Sequence, residues 1–220
     1  LESSSAASDV YKRQQQRESS WFWRARKLDS YGRYLDSDND GICYRTYPGT
    51  HPEKGAYFTR GTSHDEYARY TEDGNINAET LMRLMRKFRT ASELVPPPII
   101  EINGEDSCGI IYYGSSKPAV LEAKDILKTK DINVDLMQIR SFPFNLDVWE
   151  FIASHDRIYV VEQNRDSQMR TLIMAEGGIS AEILRPLVHF TGDPIEASYI
   201  VNKISEREVN YKSHKNIKER

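Results

Sequence analysis

The residues of this chain that could do chemistry gather in one stretch, Gly41 to Gly74, which reads GICYRTYPGTHPEKGAYFTRGTSHDEYARYTEDG. Within 34 residues it sets Arg45, Arg60 and Arg69, His51 and His64, the acidic pair Asp65 and Glu66, and five glycines. Arginines grip carboxylates or phosphates through paired N–H donors, and a histidine beside two carboxylates could move a proton or hold a metal ion. Adjacent side chains seldom converge on one ion, however, and no second histidine follows His64 at helical spacing, which argues against a metal. So densely polar a segment has little with which to bury a core of its own, and it orders only against other protein or a ligand. Arg45, Arg60, His64, Asp65, Glu66 and Arg69 are therefore interface candidates. His51 and the distant His189 stand alone and read as surface or hydrogen-bonded histidines.

Smaller groupings compete for attention. Asp36, Asp38, Asp40 and Gly41 match the opening of a calcium loop, but the twelfth position is Tyr47 where a bidentate glutamate is required, and a solvated acidic turn is the better reading. Gly114, Ser115, Ser116 and Lys117 stand between a strand pattern and a helix pattern, with Pro118 at the first helical position; free N–H groups and a lysine there could hold a phosphate. A plain N-cap at Ser116 explains the same residues and is preferred. Arg140, and then Glu162, Gln163 and Asn164 with Arg170 beyond, fall at strand C-termini, where a site or a partner would lie; a structural network that fixes the loops is the favoured alternative. Nucleophile elbow, Walker loop and dinucleotide fingerprint are all missing from the sequence, and no catalytic residue or metal ligand is predicted.

Elements that would position these groups are legible. Residues 17–76 show little periodicity and read as an irregular arm. A helix is predicted from Asn77, as cap, to Leu94, with Leu81, Leu84, Met85 and Phe88 at i, i+3, i+4 and i+7 and basic residues on the other face. Pro96, Pro97 and Pro98 end it and mark a boundary. Strand and helix patterns then alternate: strands at Ser107–Tyr113, Asn133–Ile139, Arg157–Val161 and Ile183–Pro186, helices at Pro118–Lys128, Leu146–Ser154, Ser167–Glu176 and Pro194–Lys203. That order predicts an α/β fold with a doubly wound, mainly parallel sheet, preceded by the irregular arm and a helix. The divisions are 1–16 as a non-native or disordered leader, 17–98 as arm, helix and spacer, 99–204 as the sheet domain, and 205–220 as a charged, frayed tail.

Composition narrows the class. With 220 residues, 39% hydrophobic residues and a net charge of −3, the chain has room for one core and no general attraction to nucleic acid. No apolar run approaches the ~18 residues that would span a bilayer, so a cytoplasmic protein without a membrane partner is expected. Cys43 and Cys108 lack metal spacing, and two thiols cannot hold an iron–sulfur cluster that needs four.

The arm string closely resembles the alpha subunit of 2-oxoacid:ferredoxin oxidoreductases, above all the 2-oxoglutarate branch in which gamma and alpha parts are fused. The resemblance continues through MRLMRKFRTASELVPPP (Met82 to Pro98), YYGSSKPAVLEA (Tyr112 to Ala123), MQIRSFPF (Met137 to Phe144) and VVEQNRDSQMRTLI (Val160 to Ile173), covering roughly Trp21 to Ile204. It implies that this is a C-terminal fragment of the subunit, that the sheet domain is transketolase C-terminal-like, and that a beta subunit is the partner. In the complete enzyme it implies thiamine diphosphate with magnesium, a [4Fe-4S] cluster, coenzyme A and ferredoxin, none of them held by this fragment, whose role would be docking and shaping. A stand-alone interaction module of the same fold is the alternative that the residues leave open.

Overall fold

A computed structural model of the chain describes residues 31–44, 46, 54, 61–103 and 108–218. These divide into two compact units, one of residues 1–96 with Phe142–Phe144, the other of Pro97–Ser141 with Asn145–Arg220. Arg45, Arg60 and His51, the leader and the Pro48–Gly49 turn lie outside the described residues.

In the first unit the arm forms turns against helix α1 (Gly74–Leu94). Asp73, not Asn77, caps it: the Asp73 carboxylate accepts from the Asn75 N–H at 2.8 Å and the helix starts three residues earlier than its periodicity suggests. Asp36–Gly41 is a tight turn whose carboxylates are spent on local bonds. Asp36 accepts from the Gly41 N–H (2.9 Å) and from Arg86 (3.0 Å), and Asp40 accepts from the Ile42 N–H (2.8 Å). Gly41 has φ +81° and lies so close to α1 that a Cβ would collide with the Lys87 backbone, so only glycine fits.

The second unit is a five-stranded sheet in the order β1-β3-β2-β4-β5, built from β1 (Ile99–Glu101), β2 (Cys108–Tyr112), β3 (Asp135–Gln138), β4 (Arg157–Glu162) and β5 (Leu184–Val188). Strands β2 to β5 are mutually parallel; β1 pairs antiparallel on the edge, Ile100 opposite Met137. The sheet is the doubly wound, mainly parallel α/β sheet expected, but β1 is an addition. Three residues after a proline run give too short a pattern to read as a strand.

Helices α2 (Lys117–Lys128), α3 (Leu146–Ala153), α4 (Gln168–Gly177) and α5 (Ala197–Lys218) complete the unit. Central strands β2 and β4 are buried at every position, as expected for parallel strands covered on both faces. Ile110, Tyr112, Leu136, Tyr159 and Val161 pack with Val120, Ala123 and Leu127 of α2 and Ile200 and Ile204 of α5. Alternation turns Gly109, Ile111, Met137 and Val160 to the opposite face. There Phe151 of α3 presses so closely on Gly109 that a Cβ would sit 3.0 Å from its ring. Pro186 lies in edge strand β5, where its missing N–H costs no ladder bond.

Two local expectations are corrected. Ser116 does not cap α2: it belongs to a 3-10 turn, Gly114–Ser116, has helical dihedrals, and makes no side-chain cap bond. The second concerns the C-terminal end, where α5 runs to Lys218 instead of stopping at Lys203 and fraying from Ser205. A buried ion pair made by Glu208, described below, holds it to the sheet.

Candidate functional site at the strand ends and on the arm

The connection from β3 to β4 crosses over β2, so the C-terminal ends of β2 and β4 flank the point where strand order reverses, the usual ligand crevice of an open α/β sheet. The Gln163 side-chain amide there donates to Ser115 Oγ (2.9 Å) and Ser116 Oγ (3.2 Å), and the Asn164 amide donates to Glu162 (2.7 Å) and to the Tyr113 hydroxyl (3.4 Å). Glu162, fully buried, also accepts from the Met169 and Arg170 N–H groups at 2.8 and 2.9 Å, while Asn164 Oδ1 accepts from those of Asp166 and Gln168. The free N–H groups that open α4 are therefore capped from β4 and the loop after it, with Ser167, φ +52°, making no side-chain cap of its own. Burial first, then Glu162, raises the Tyr113 hydroxyl above the usual phenol range. A carboxylate engaged by three donors is a brace, and using it as a base would uncap α4.

Gly114 and Lys117 lie exposed on this loop, and Gly114 has open space around it. Arg140 is exposed past β3 and makes no hydrogen bond or ion pair among the described residues. The strand ends thus bring Ser115, Ser116, Gln163, Asn164 and Glu162 together and leave Arg140 apart. Arg170 turns away to the carbonyls of Leu184 (2.6 Å) and Ala181 (3.1 Å), tying α4 to the turn before β5.

At the opposite ends of the strands lie two buried polar groups that sequence reasoning missed. His155 places Nδ1 2.6 Å from the Phe151 carbonyl and Nε2 3.2 Å from Asp135, whose other oxygen accepts from the Asn103 N–H (2.6 Å). Arg157 binds both carboxylate oxygens of Glu208 through Nε (3.0 and 2.8 Å), and the Tyr159 hydroxyl donates to the same carboxylate (2.8 Å). Arg157 and Glu208 are 6% and 1% exposed. The available signal was a charged residue opening an otherwise apolar run, Asp135 in DLMQ and Arg157 in RIYVVE.

Burial, reinforced by Glu208, pushes the Tyr159 hydroxyl well above the ordinary phenol value of 10.0. The unfolded chain then releases this proton at lower pH than the folded chain, so stability falls as pH rises above 10 and is unaffected by this group below it. Stability measured by urea titration from pH 8 to 11 is expected to show that decline, and Tyr159→Phe to flatten it; an unchanged slope in the variant would refute the assignment.

On the arm, His64 stacks on Tyr34 (3.8 Å between ring centroids) and its Nδ1 lies 3.0 Å from the Asp65 carbonyl. Asp65 caps its own turn, accepting from the Tyr67 and Arg69 N–H groups at 2.9 and 2.8 Å. Glu66 and Arg69 are exposed, the Arg69 guanidinium 5.4 Å from the Tyr67 ring centre. Asp65, Glu66 and Arg69 border a groove of about 660 Å³ whose other wall is α1 at Glu79, Arg83 and Arg86. Burial raises the Cys43 thiol, partly offset by Arg83, which leaves it a poor nucleophile. Among the described residues no three His, Cys, Asp or Glu side chains could share a metal ion. Among the described residues the arrangement mainly holds loops and presents surfaces; the Ser154 hydroxyl, 3.1 Å from His155 Nδ1, donates to the Phe151 carbonyl at 2.9 Å and belongs to the end of α3.

No protein-family model matches the chain. It is 28% identical over 196 residues to subunit alpha of 2-oxoacid:ferredoxin oxidoreductase 2 from Aeropyrum pernix, an alignment covering 83% of the chain and 29% of that protein. The chain is similar to 2-oxoacid:ferredoxin oxidoreductase alpha subunits. The Saccharolobus solfataricus alpha subunit is likewise 28% identical, over 124 residues that make up 54% of the chain and 20% of that protein. The chain thus spans less than a third of the length of the alpha subunits it matches. In fold it is similar to 2-oxoglutarate:ferredoxin oxidoreductase from Magnetococcus marinus, a structure with 2-oxoglutarate, coenzyme A and succinyl-CoA bound. TM-score is 0.70 and identity 22%, over 81% of the chain and 31% of that one.

Proposed function

We propose that this chain is part of the alpha subunit of a 2-oxoacid:ferredoxin oxidoreductase that converts 2-oxoglutarate and coenzyme A to an acyl-CoA, carbon dioxide and reduced ferredoxin in the cytoplasm. The observation that carries the reading is the extent of alpha-subunit similarity, 83% of the chain including the arm. The arm string's likeness to the 2-oxoglutarate branch supports that substrate.

Thiamine diphosphate with magnesium would supply the carbanion chemistry of decarboxylation and a [4Fe-4S] cluster the electron path. Residues of this chain do not fit the cluster, since its two cysteines fall short of four thiolates. Ser115 and Ser116 accept from Gln163, so the Gly114–Lys117 turn is read as a brace between the loops that follow β2 and β4. This part therefore docks the beta subunit and shapes the sheet loops, and the reacting groups lie elsewhere in the enzyme.

The test is to co-express the complete alpha chain with its beta subunit and follow ferredoxin reduction. Turnover dependent on 2-oxoglutarate and coenzyme A is expected from the complex, and none from the 220-residue chain alone. Turnover with pyruvate only would overturn the substrate assignment, and no turnover with any 2-oxoacid would overturn the whole reading.

A further inference from the structure

Helix α1 wears its two faces in reverse. Its polar side is turned inward on its own unit: Arg86 pairs with Asp36, Arg83 donates to the Gly41 carbonyl (3.1 Å) and the Thr90 hydroxyl to the Asp40 carbonyl (2.5 Å). At about 100° per residue, Leu81, Leu84, Met85 and Phe88 fall on the opposite side. No residue of α1 is buried; Phe88 meets Phe142 of the same unit edge-on, 6.3 Å between ring centroids, yet Leu81, Met85 and Phe88 remain 55%, 62% and 50% exposed. A helix supported by its own unit alone would turn such a stripe inward, so the exposed stripe marks a contact surface.

Charge says what kind. From Thr80 to Ser92 the sequence holds Arg83, Arg86, Lys87 and Arg89 and no acidic residue. The arm occupies Arg83 and Arg86, which leaves exposed Lys87 and Arg89 to flank the stripe on either side. A second copy of the same helix would set this cationic rim against itself, and like charges brought together at an interface are repulsive.

We propose that the Leu81–Leu84–Met85–Phe88 face docks into an apolar groove rimmed by carboxylates on the beta subunit, the partner whose identity rests on the oxidoreductase reading above. Anchors at i, i+3, i+4 and i+7 are the helix-in-groove pattern, and the flexible thioether of Met85 adapts to the groove wall.

Met85→Cys, at an exposed position, provides the probe. Maleimide labelling of Cys at 85 is expected to be fast in the complete alpha subunit purified without beta and at least 10-fold slower in its complex with beta. Leu81→Glu with Met85→Glu should lower co-purification of beta with the complete alpha subunit at least 10-fold while leaving thermal unfolding of the chain unchanged. Reversing both rim charges, Lys87→Glu with Arg89→Glu, should slow association and reduce its salt dependence. If the complex forms and turns over but the thiol reacts as fast as in alpha without beta, the docking proposal falls and the oxidoreductase reading stands. If no complex with beta forms, both fall. Protection of the thiol in alpha without beta would instead assign the face to the rest of alpha, to a second copy where the mass doubles in sedimentation, or to a membrane surface where phosphatidylserine vesicles are needed, and overturn the proposal.

Discussion

Glu208→Ala is expected to destabilise the sheet unit by about 3–5 kcal/mol, because it strands the buried Arg157 guanidinium without its counter-charge. The Arg157 Nε–H is shared between both Glu208 oxygens, the pair is closed to solvent, and the Tyr159 hydroxyl donates to the same carboxylate. Arg185, 3.9 Å from Glu208, lies too far to take over alone. Urea denaturation measures the loss, and hydrogen exchange locates it: amide protection of α5 beyond Ser205 should vanish before that of β2 or β4. A double replacement, Arg157→Met with Glu208→Leu, should recover most of the stability, since it removes both charges and not one. A loss within about 0.5 kcal/mol for Glu208→Ala would show that α5 is held by its apolar residues, not by the pair.

Glu162→Ala should cost roughly 3 kcal/mol, the sum of a few donors left in a buried place at about 1 kcal/mol or more each. Asn164 and the N–H groups of Met169 and Arg170 lose their acceptor, and the start of α4 loses a carboxylate that favours its positive end. Thermal unfolding together with amide exchange at Met169 and Arg170 checks it. Glu162→Gln keeps one acceptor oxygen and should fall between. In the assembled enzyme the glutamine variant separates brace from base: turnover should follow stability. A variant with full stability and abolished turnover would assign Glu162 to the chemistry instead.

Sequence periodicity was enough for the alternating strands and helices and for their parallel arrangement, because buried parallel strands such as CGIIY and RIYVVE need continuous apolar runs and each crossover helix needs an apolar stripe. Glycine at position 41 was visible as a turn residue. Boundaries set by capping were less visible: Asp73 and Asn77 are equally good caps in isolation, and only the backbone decides which side-chain oxygen meets a free N–H. Likewise the short strand β1 exists because β3 offers it an edge, a fact with no local signature.

Function-bearing groups divide along the same line. Residue types alone placed Glu162, Gln163 and Asn164 at a strand C-terminus and Asp65 and Glu66 on a polar arm, since composition and period fix which side of an element a residue occupies. What each does was decided by tertiary structure. Glu162 caps a helix that begins several residues later, and Asp65 caps its own turn. Glu208, in a tail whose charge reads as solvated, is buried because Arg157 stands on the neighbouring strand. A charged side chain is driven out to water or held inside according to whether folding supplies its partner, and that partner is 51 residues away. Helix α1 shows the same division: its stripe of Leu81, Leu84, Met85 and Phe88 was readable from spacing. That it faces outward follows only from the arm's turn at Asp36–Gly41, whose carboxylate and carbonyls draw the arginine side in.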